Sequence, residues 1–246
     1  MAVLSSRRLH ATPLVLDDER HVTWVAAEVV ANRMIGRPRL RMMLPTGHTP
    51  RGMYALMRRR AAAGTLPAGG TELVQLDEYV GAAPEQRFST ELRRQLDGVD
   101  FAATHWIDAA ADDPEAEAAR HAAEIARAPI DLAVLGVGRD GHLAFNEPGS
   151  TLADATRVVT LSETTRQDNA DAFGSPDAVP DRAITTGLRE LAYARELVIM
   201  ATGEAKADVV AKMLRGPMTP ACPASLLRDH RSLLVLVDRA AGARVT

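Results

Sequence analysis

The chain has 246 residues, of which 46% are hydrophobic and 25% charged, and its formal net charge is -3. This balance is typical of an ordinary soluble globular protein and excludes a disordered or fibrous chain. Lysines and arginines are scattered and form no basic surface with interleaved aromatic residues, so we expect no nucleic-acid partner.

The amino terminus and the single cysteine provide evidence about the cellular compartment of the protein. The first residues lack the apolar segment of a signal peptide, and no apolar run approaches the roughly 18 residues that span a bilayer. Cys222 has no second cysteine to pair with, so the sequence gives no sign of an oxidising compartment. Since prolines flank it closely, we expect an inert, packed thiol and not a nucleophile. The sequence therefore predicts a cytoplasmic protein with no membrane partner.

Apolar runs alternate with helical periodicity along the whole chain. The runs predict strands at 39–44, 72–76, 131–137, 156–161, 196–201 and 232–237. Helices are predicted between them, for example over 17–34, which opens on acidic residues, and over 114–128, where Pro114 follows two aspartates. This alternation indicates parallel βαβ units. We predict one α/β domain over residues 1–246, a doubly wound, mostly parallel, Rossmann-like sheet with helices on both faces.

Two strand-to-helix turns are suited to an anion, because ligands of such sheets bind outside the carboxyl ends of the strands. The first turn runs from Thr46 to Thr49 and precedes Pro50, which predicts a helix capped by Thr49 with its free N–H groups facing a phosphate. Taken alone, this turn fits an ordinary capped helix equally well. The second turn, Thr202-Gly203, leads into a helix that carries Lys206 near its positive end. A bound anion would stabilise that ammonium group, whereas the alternative is that it extends into water or pairs with Glu204.

Candidate acid and base groups follow two other predicted strands. Asp77 and Glu78 end one strand, where an acid pair is more commonly a solvated turn. Asp140 and His142 lie two positions apart in a glycine-flanked turn, with Glu147 close in sequence. Histidine transfers protons near neutral pH, and an adjacent carboxylate fixes its tautomer and raises its basicity. The pattern predicts a proton-transfer site.

Two other chemistries are disfavoured at this turn. Asp140 and His142 have a spacing that could supply two metal ligands, but the remaining histidines are isolated and no acidic cluster completes a ligand set. We therefore expect no metal. A nucleophilic triad is not expected either, because no serine or cysteine occupies a sharp nucleophile elbow.

Five segments resemble, in order and spacing, the glucosamine-6-phosphate deaminases, also called isomerases, from about residue 40 to about residue 230. They are LPTGHTPRGMYALM, QLDEYVG, LGVGRDGHLAFNEPGS, AITTGLREL and ATGEAKADVVAKMLRG. The resemblance implies conversion of glucosamine 6-phosphate and water to fructose 6-phosphate and ammonia, without a cofactor. It implies that His142 moves a proton at the ring oxygen during ring opening, that Asp140 and Glu147 orient its imidazole, and that Asp77 takes the C2 proton and returns it at C1.

The resemblance also implies a phosphate site and a lid. The phosphate-binding residues would be Thr46, Gly47, His48, Thr49, Arg166 and Lys206. Arg166 would lie in a mobile lid around 155–175. The chain differs from the family at His48, where a small residue is usual, and over 82–92. The second difference affects residues that would contact the sugar. Val159 replaces a basic residue of allosteric relatives, so we expect no amino-sugar allostery; a homo-oligomer is possible.

Other functions of the same fold stay open. 6-Phosphogluconolactonases share the architecture, although EYVG and AFNEPGS favour deaminases. The amino sugar could have the gluco or the galacto configuration, because spacing does not reveal hydroxyl contacts. A non-catalytic sugar-phosphate sensor is the least favoured alternative, since it would need neither Asp77 nor His142 and we see no DNA-binding segment.

Overall fold

The computed structural model describes residues 12–245, which form ten strands and eight helices. The strands are β1 (Leu14–Leu16), β2 (Arg41–Met43), β3 (Glu72–Val74), β4 (Asp77–Tyr79), β5 (Ala103–His105), β6 (Leu132–Gly136), β7 (Arg157–Thr160), β8 (Arg182–Thr185), β9 (Leu197–Ala201) and β10 (Leu233–Asp238). The helices are α1 (Glu19–Gly36), α2 (Arg51–Ala62), α3 (Phe88–Gln95), α4 (Pro114–Ala126), α5 (Glu163–Asp168), α6 (Leu188–Tyr193), α7 (Ala207–Arg215) and α8 (Arg239–Gly242).

Seven strands form one parallel sheet in the order β1-β10-β9-β6-β2-β3-β5. From β2 the chain moves outward through β3 to β5, and it then returns to the other side of β2 to add β6, β9 and β10. The direction of winding therefore reverses between β2 and β6. The predicted doubly wound α/β class is confirmed, because this reversal and the parallel pairing are its defining features.

Helices cover both faces of this sheet, and alternate residues of β6 show why. Leu132 and Val134 pack into the core under α1 and α2, whereas Ala133 and Leu135 pack into the core on the α7 side. All four side chains are buried. A strand that is buried on both faces is continuously apolar, which is the pattern that the sequence has in this region.

A second, antiparallel sheet is made of β4, β8 and β7. The strand predicted at 156–161 lies here and does not join the parallel sheet. The strand predicted at 72–76 ends at Val74, and Asp77 opens β4, directly opposite Thr185 of β8. This small sheet packs on α4 through Ile184 and Ala118 and, as described below, connects two parts of the candidate site.

Local hydrogen bonds to side chains determine where several helices begin. The side chain of Asp18 caps α1 and that of Asp113 caps α4, with Pro114 in the first helical position, as the sequence predicts. At α2 the prediction is wrong by one residue: Pro50 occupies the cap position, the helix begins at Arg51, and no side chain caps it. No helix in the described part of the chain combines the length and the apolar character needed to cross a bilayer.

A candidate active site at the carboxyl ends of the strands

Four segments that carry predicted site residues converge on one rim of the parallel sheet. β6 lies between β9 and β2, so the turns that follow these three strands are neighbours. β3, the other neighbour of β2, leads into β4 and Asp77. The rim lies where the winding of the sheet reverses, which is where ligands of doubly wound sheets bind.

The turn after β6, called here the His142 turn (residues 138–147), holds an imidazole and a carboxylate in contact. Nδ1 of His142 lies 2.7 Å from Oδ1 of Asp140, and the backbone N–H of His142 donates to the same oxygen at 3.1 Å. Although partial burial raises it, these hydrogen bonds and the charge of the imidazole lower the pKa of Asp140 to about 2. Asp140 is therefore ionised and accepts from Nδ1–H, which leaves Nε2 of His142 available to a ligand.

Glycines make this arrangement possible. A Cβ atom on Gly138 would overlap the imidazole of His142, and Gly141 has a φ of +93° and contacts the Sγ atom of Cys222. Gly141 also accepts a hydrogen bond from the N–H of Ala224 at 2.8 Å. Burial raises the pKa of the Cys222 thiol, so this side chain packs against the turn as a neutral group.

Glu147 lies in the same turn, but among the described residues it forms no hydrogen bond or ion pair with His142. Its carboxylate accepts two hydrogen bonds from the backbone N–H of Ser162, at 3.1 and 3.0 Å, and the Ser162 side chain in turn caps α5. Glu147 thus fixes the start of α5 in this structure, and the carboxylate that bonds to the imidazole is that of Asp140. Orientation of His142 by Glu147 stays a prediction.

Asp77 is buried opposite the end of β8. Its side chain is 8% exposed, and burial, followed by the charge of Glu78, raises its pKa to about 8. Within residues 12–245 no group donates a hydrogen bond to its carboxyl oxygens. The group is therefore protonated at neutral pH and free to exchange its proton with a ligand.

β8 joins Asp77 to the His142 turn. Thr185, which pairs with Asp77, accepts a hydrogen bond on its hydroxyl oxygen from the N–H of Phe145 at 3.0 Å. The side-chain amide of Asn146 donates to the carbonyl oxygen of Thr186 at 2.8 Å. No separate signal in the sequence indicated these threonines, which were selected only as part of the AITTGLREL segment. They bring the base candidate and the imidazole together.

The turn between β2 and α2 offers unpaired backbone donors. Gly47 has a φ of +102°, and in the described part of the chain no acceptor binds the N–H of Gly47, His48 or Thr49. The imidazole of His48 is 76% exposed and lies 3.6 Å from Glu19 at the start of α1. The large side chain therefore extends from the turn without occupying these N–H groups, which are suited to an anion.

Lys206 joins the turn after β9 to the residue that directly precedes the His142 turn. It lies in a single turn of 3-10 helix just before α7, and its ammonium group donates to the carbonyl oxygen of Val137 at 2.9 Å. Neither a solvent-extended side chain nor a pair with Glu204 is found. Burial, followed by the charge of Arg139, lowers the pKa of Lys206.

Arg166 is held inside the predicted lid. It lies on α5 and donates to the carbonyl oxygen of Pro176 at 2.9 Å, while its Nε atom is buried and has no hydrogen-bond partner among the described residues. Binding of the phosphate by Arg166 stays a prediction. An ion pair between Arg139 of the His142 turn and Asp168 ties α5 to the site, a contact that the sequence did not indicate.

A possible metal-binding cluster lies away from these turns. Glu72, His105 and Glu124 place one ligand atom each within 4.8 Å of one another. Arg41 and Arg127, however, each form ion pairs with both carboxylates. Two guanidinium groups already neutralise the two acids, so the donor set does not favour a cation.

Comparison with known proteins gives one consistent family. Residues 17–236 match the model for "Glucosamine-6-phosphate isomerases/6-phosphogluconolactonase". A glucosamine-6-phosphate deaminase of Rhodopirellula baltica is 39% identical over 235 residues, covering 93% of this chain and 94% of that one. The corresponding protein of Exiguobacterium sp. is 39% identical over 223 residues, 89% of this chain and 86% of that one.

Solved structures agree with this result. A monomeric glucosamine-6-phosphate deaminase superimposes with a TM-score of 0.90 at 31% identity and covers 95% of this chain and 99% of its own. A 6-phosphogluconolactonase from Trypanosoma cruzi superimposes with a TM-score of 0.75 at 18% identity and covers 97% and 99%. The second likeness is one of fold alone.

Proposed function

The chain belongs to the family of glucosamine-6-phosphate isomerases and 6-phosphogluconolactonases, and from this premise we propose that it works as a glucosamine-6-phosphate deaminase. The enzyme converts glucosamine 6-phosphate and water to fructose 6-phosphate and ammonia. The observation that carries the proposal is a buried carboxyl group with a raised pKa, joined through β8 to an imidazole that an ionised carboxylate holds.

These groups match the proton transfers that the reaction needs. His142 gives a proton to the ring oxygen as the bond from C1 to that oxygen breaks, and the C1 hydroxyl group loses its proton to water, which leaves an aldehyde. Ionised Asp140 supports this step because it stabilises the imidazolium form of His142. The ionised form of Asp77, a minor fraction at neutral pH because its pKa is about 8, then takes the proton from C2 while the C1 oxygen regains a proton from water. Asp77 returns its proton at C1. The imine that results at C2 takes up water and releases ammonia.

The phosphate group would bind across two neighbouring turns. The N–H groups of Gly47, His48 and Thr49 are unpaired within residues 12–245, and they lie at the start of α2, where the helix dipole favours an anion. Thr46 and Lys206 complete this site in the proposal. Arg166 is the second cation of this site in the proposal; its Nε atom is buried and has no hydrogen-bond partner among the described residues.

The same proposal includes an amino-sugar substrate of the gluco configuration, the cytoplasm as the compartment and a possible homo-oligomer. Assays of the galacto epimer test the first. Light scattering coupled to gel filtration tests the last, and one structurally similar deaminase is described as monomeric.

The test measures ammonia and fructose 6-phosphate released from glucosamine 6-phosphate by the wild type and by Asp77→Asn. We expect turnover by the wild type and a loss of about 100-fold or more in the variant, which keeps the size of the side chain but cannot act as a base. Galactosamine 6-phosphate and 6-phosphogluconolactone serve as parallel substrates. Turnover of the lactone alone would contradict the proposal. Turnover of the galacto epimer alone would change the assigned substrate but leave the proposed mechanism unchanged.

A further inference from the structure

Glu78, the neighbour of Asp77 on β4, has a completely buried carboxylate to which the mechanism gives no role. Its side chain is 0% exposed. It accepts four hydrogen bonds: from Nε2 of Gln75 at 3.0 Å and from the backbone N–H groups of Tyr79 at 3.1 Å, Phe88 at 2.8 Å and Ser89 at 2.9 Å. Two donors reach each oxygen atom, so hydrogen bonds stabilise the buried carboxylate without removing its charge.

Two of these donors belong to the first turn of α3. The residue in the cap position of this helix, Arg87, makes no side-chain cap, so the free N–H groups of Phe88 and Ser89 need an acceptor from elsewhere. Glu78 supplies it from another element, ten residues earlier in the chain. The carboxylate therefore attaches the start of α3 to the strand that carries Asp77.

The start of α3 also contacts the His142 turn. The ring of Phe88 stacks on that of Phe145, with centroids 5.7 Å apart and planes inclined by 10°. The ring of Tyr79 lies 4.8 Å from Phe88 and 5.1 Å from Phe145. A continuous series of contacts thus connects Glu78, through Phe88, to the His142 turn.

We propose that Glu78 is a positioning residue for the deamination: its carboxylate fixes Asp77 and the His142 turn relative to each other through α3, and its charge strengthens Asp77 as a base. The proposal rests on the proposed function, but its first half concerns the free protein. The sequence alone favoured a solvated acid pair at 77–78, and the complete burial of Glu78 excludes that interpretation.

The surroundings of Asp77 contain few other charges. Burial is the larger cause of its raised pKa, and the charge of Glu78 is the second. Tyr79 follows on the same strand, and burial keeps it in the neutral form. On the side of α4, burial lowers the pKa of His121 to about 4, so this imidazole is neutral as well. On β8 the opposing residue is Thr185, which does not ionise.

The first experiment follows the titration of Asp77 by carbon-13 NMR of labelled aspartate carboxyl groups, with the Asp77→Asn spectrum to identify the signal. In Glu78→Gln we expect the midpoint to move to lower pH by about one unit, because a negative neighbour is removed. Glu91→Gln is the matched control: the same change of charge on α3, in a residue that does not act on Asp77. An unmoved midpoint in Glu78→Gln would overturn the electrostatic half of the proposal.

The second experiment uses Glu78→Asp, which keeps the charge but withdraws the carboxylate by one methylene group from the N–H groups of α3. We expect an unchanged titration of Asp77, a fall of about tenfold in kcat and little change in KM. This variant also serves if Glu78→Gln does not fold. Full kcat in Glu78→Asp would overturn the positioning role. Since the titration needs no substrate, a wild type without deaminase activity would refute the proposed function and leave the charge effect separately measurable.

Discussion

At the scale of single residues, two aspartates of the candidate site are held in opposite protonation states. The pKa of Asp140 is lowered to about 2, mainly by hydrogen bonds from His142 that outweigh partial burial, whereas burial raises the pKa of Asp77 to about 8. At neutral pH the first is charged and the second protonated. Pairs of carboxyl groups whose environments separate their pKa values are characteristic of acid–base sites.

The raised pKa of Asp77 makes the stability of the fold depend on pH. The unfolded chain releases this proton near its ordinary pKa of 3.8, but the folded chain retains it until about 8. The contribution to stability is therefore complete below pH 4 and is lost progressively as the pH rises to 8. We expect Asp77→Asn, which cannot ionise, to melt at a higher temperature than the wild type at pH 8. Scanning calorimetry at pH 5 and pH 8 checks this, and a difference that does not grow with pH would contradict it.

At the scale of elements, α5 is a short helix that depends on contacts with the His142 turn. It has six residues. At its start, the carboxylate of Glu147 accepts from the N–H of Ser162, and the side chain of Ser162 accepts from the N–H of Thr165. The ion pair of Arg139 and Asp168 is solvent-exposed on the arginine side, where such pairs contribute about 0 to 1 kcal/mol. Glu147 is therefore the stronger of the two connections between the His142 turn and the predicted lid.

Replacing Glu147 tests this connection. In Glu147→Gln we expect faster hydrogen exchange over 162–168 by about tenfold, because the N–H of Ser162 loses a charged acceptor worth about 1.5 kcal/mol. Exchange followed by mass spectrometry measures it. Glu163→Gln, on the same helix, is the control, since within residues 12–245 the hydrogen bond to its carboxylate comes from the side chain of Gln167 and not from the N–H of Ser162. Equal exchange in the two variants would mean that Glu147 does not hold α5.

The sequence predicted the longer elements and the chemistry-bearing turns better than it predicted the contacts between them. All six predicted strands exist: five are apolar runs in the parallel sheet, whereas β7, a half-buried strand, lies in the small antiparallel sheet. The missed strands, β1, β4, β5 and β8, have three or four residues and are too short to show a period. The contacts of Glu78, Glu147 and Arg166 were not predictable, since their partners are backbone groups that only the tertiary fold brings close.

At the scale of the whole molecule, one parallel sheet is shared by two hydrophobic cores. Leu132 points into the core under α1 and α2 and Leu135 into the core under α7, and both belong to β6 at the centre of the sheet. A single domain over the chain, as the sequence predicts, requires that the two cores lose their packing together. Two independently folding units would instead respond separately to a defect in either core.

This requirement leads to a test with paired core variants. Leu132→Ala and Leu135→Ala each remove a buried side chain and should each lower the free energy of unfolding by about 2 to 5 kcal/mol. Because both cores share β6, we expect each variant to shift one and the same cooperative transition in urea, followed by circular dichroism and by tryptophan fluorescence. Leu152→Ala, at a side chain that is 42% exposed, should change stability by less than about 0.5 kcal/mol. Two transitions, only one of which moves in each variant, would show that the cores unfold independently and that the single-domain prediction is wrong.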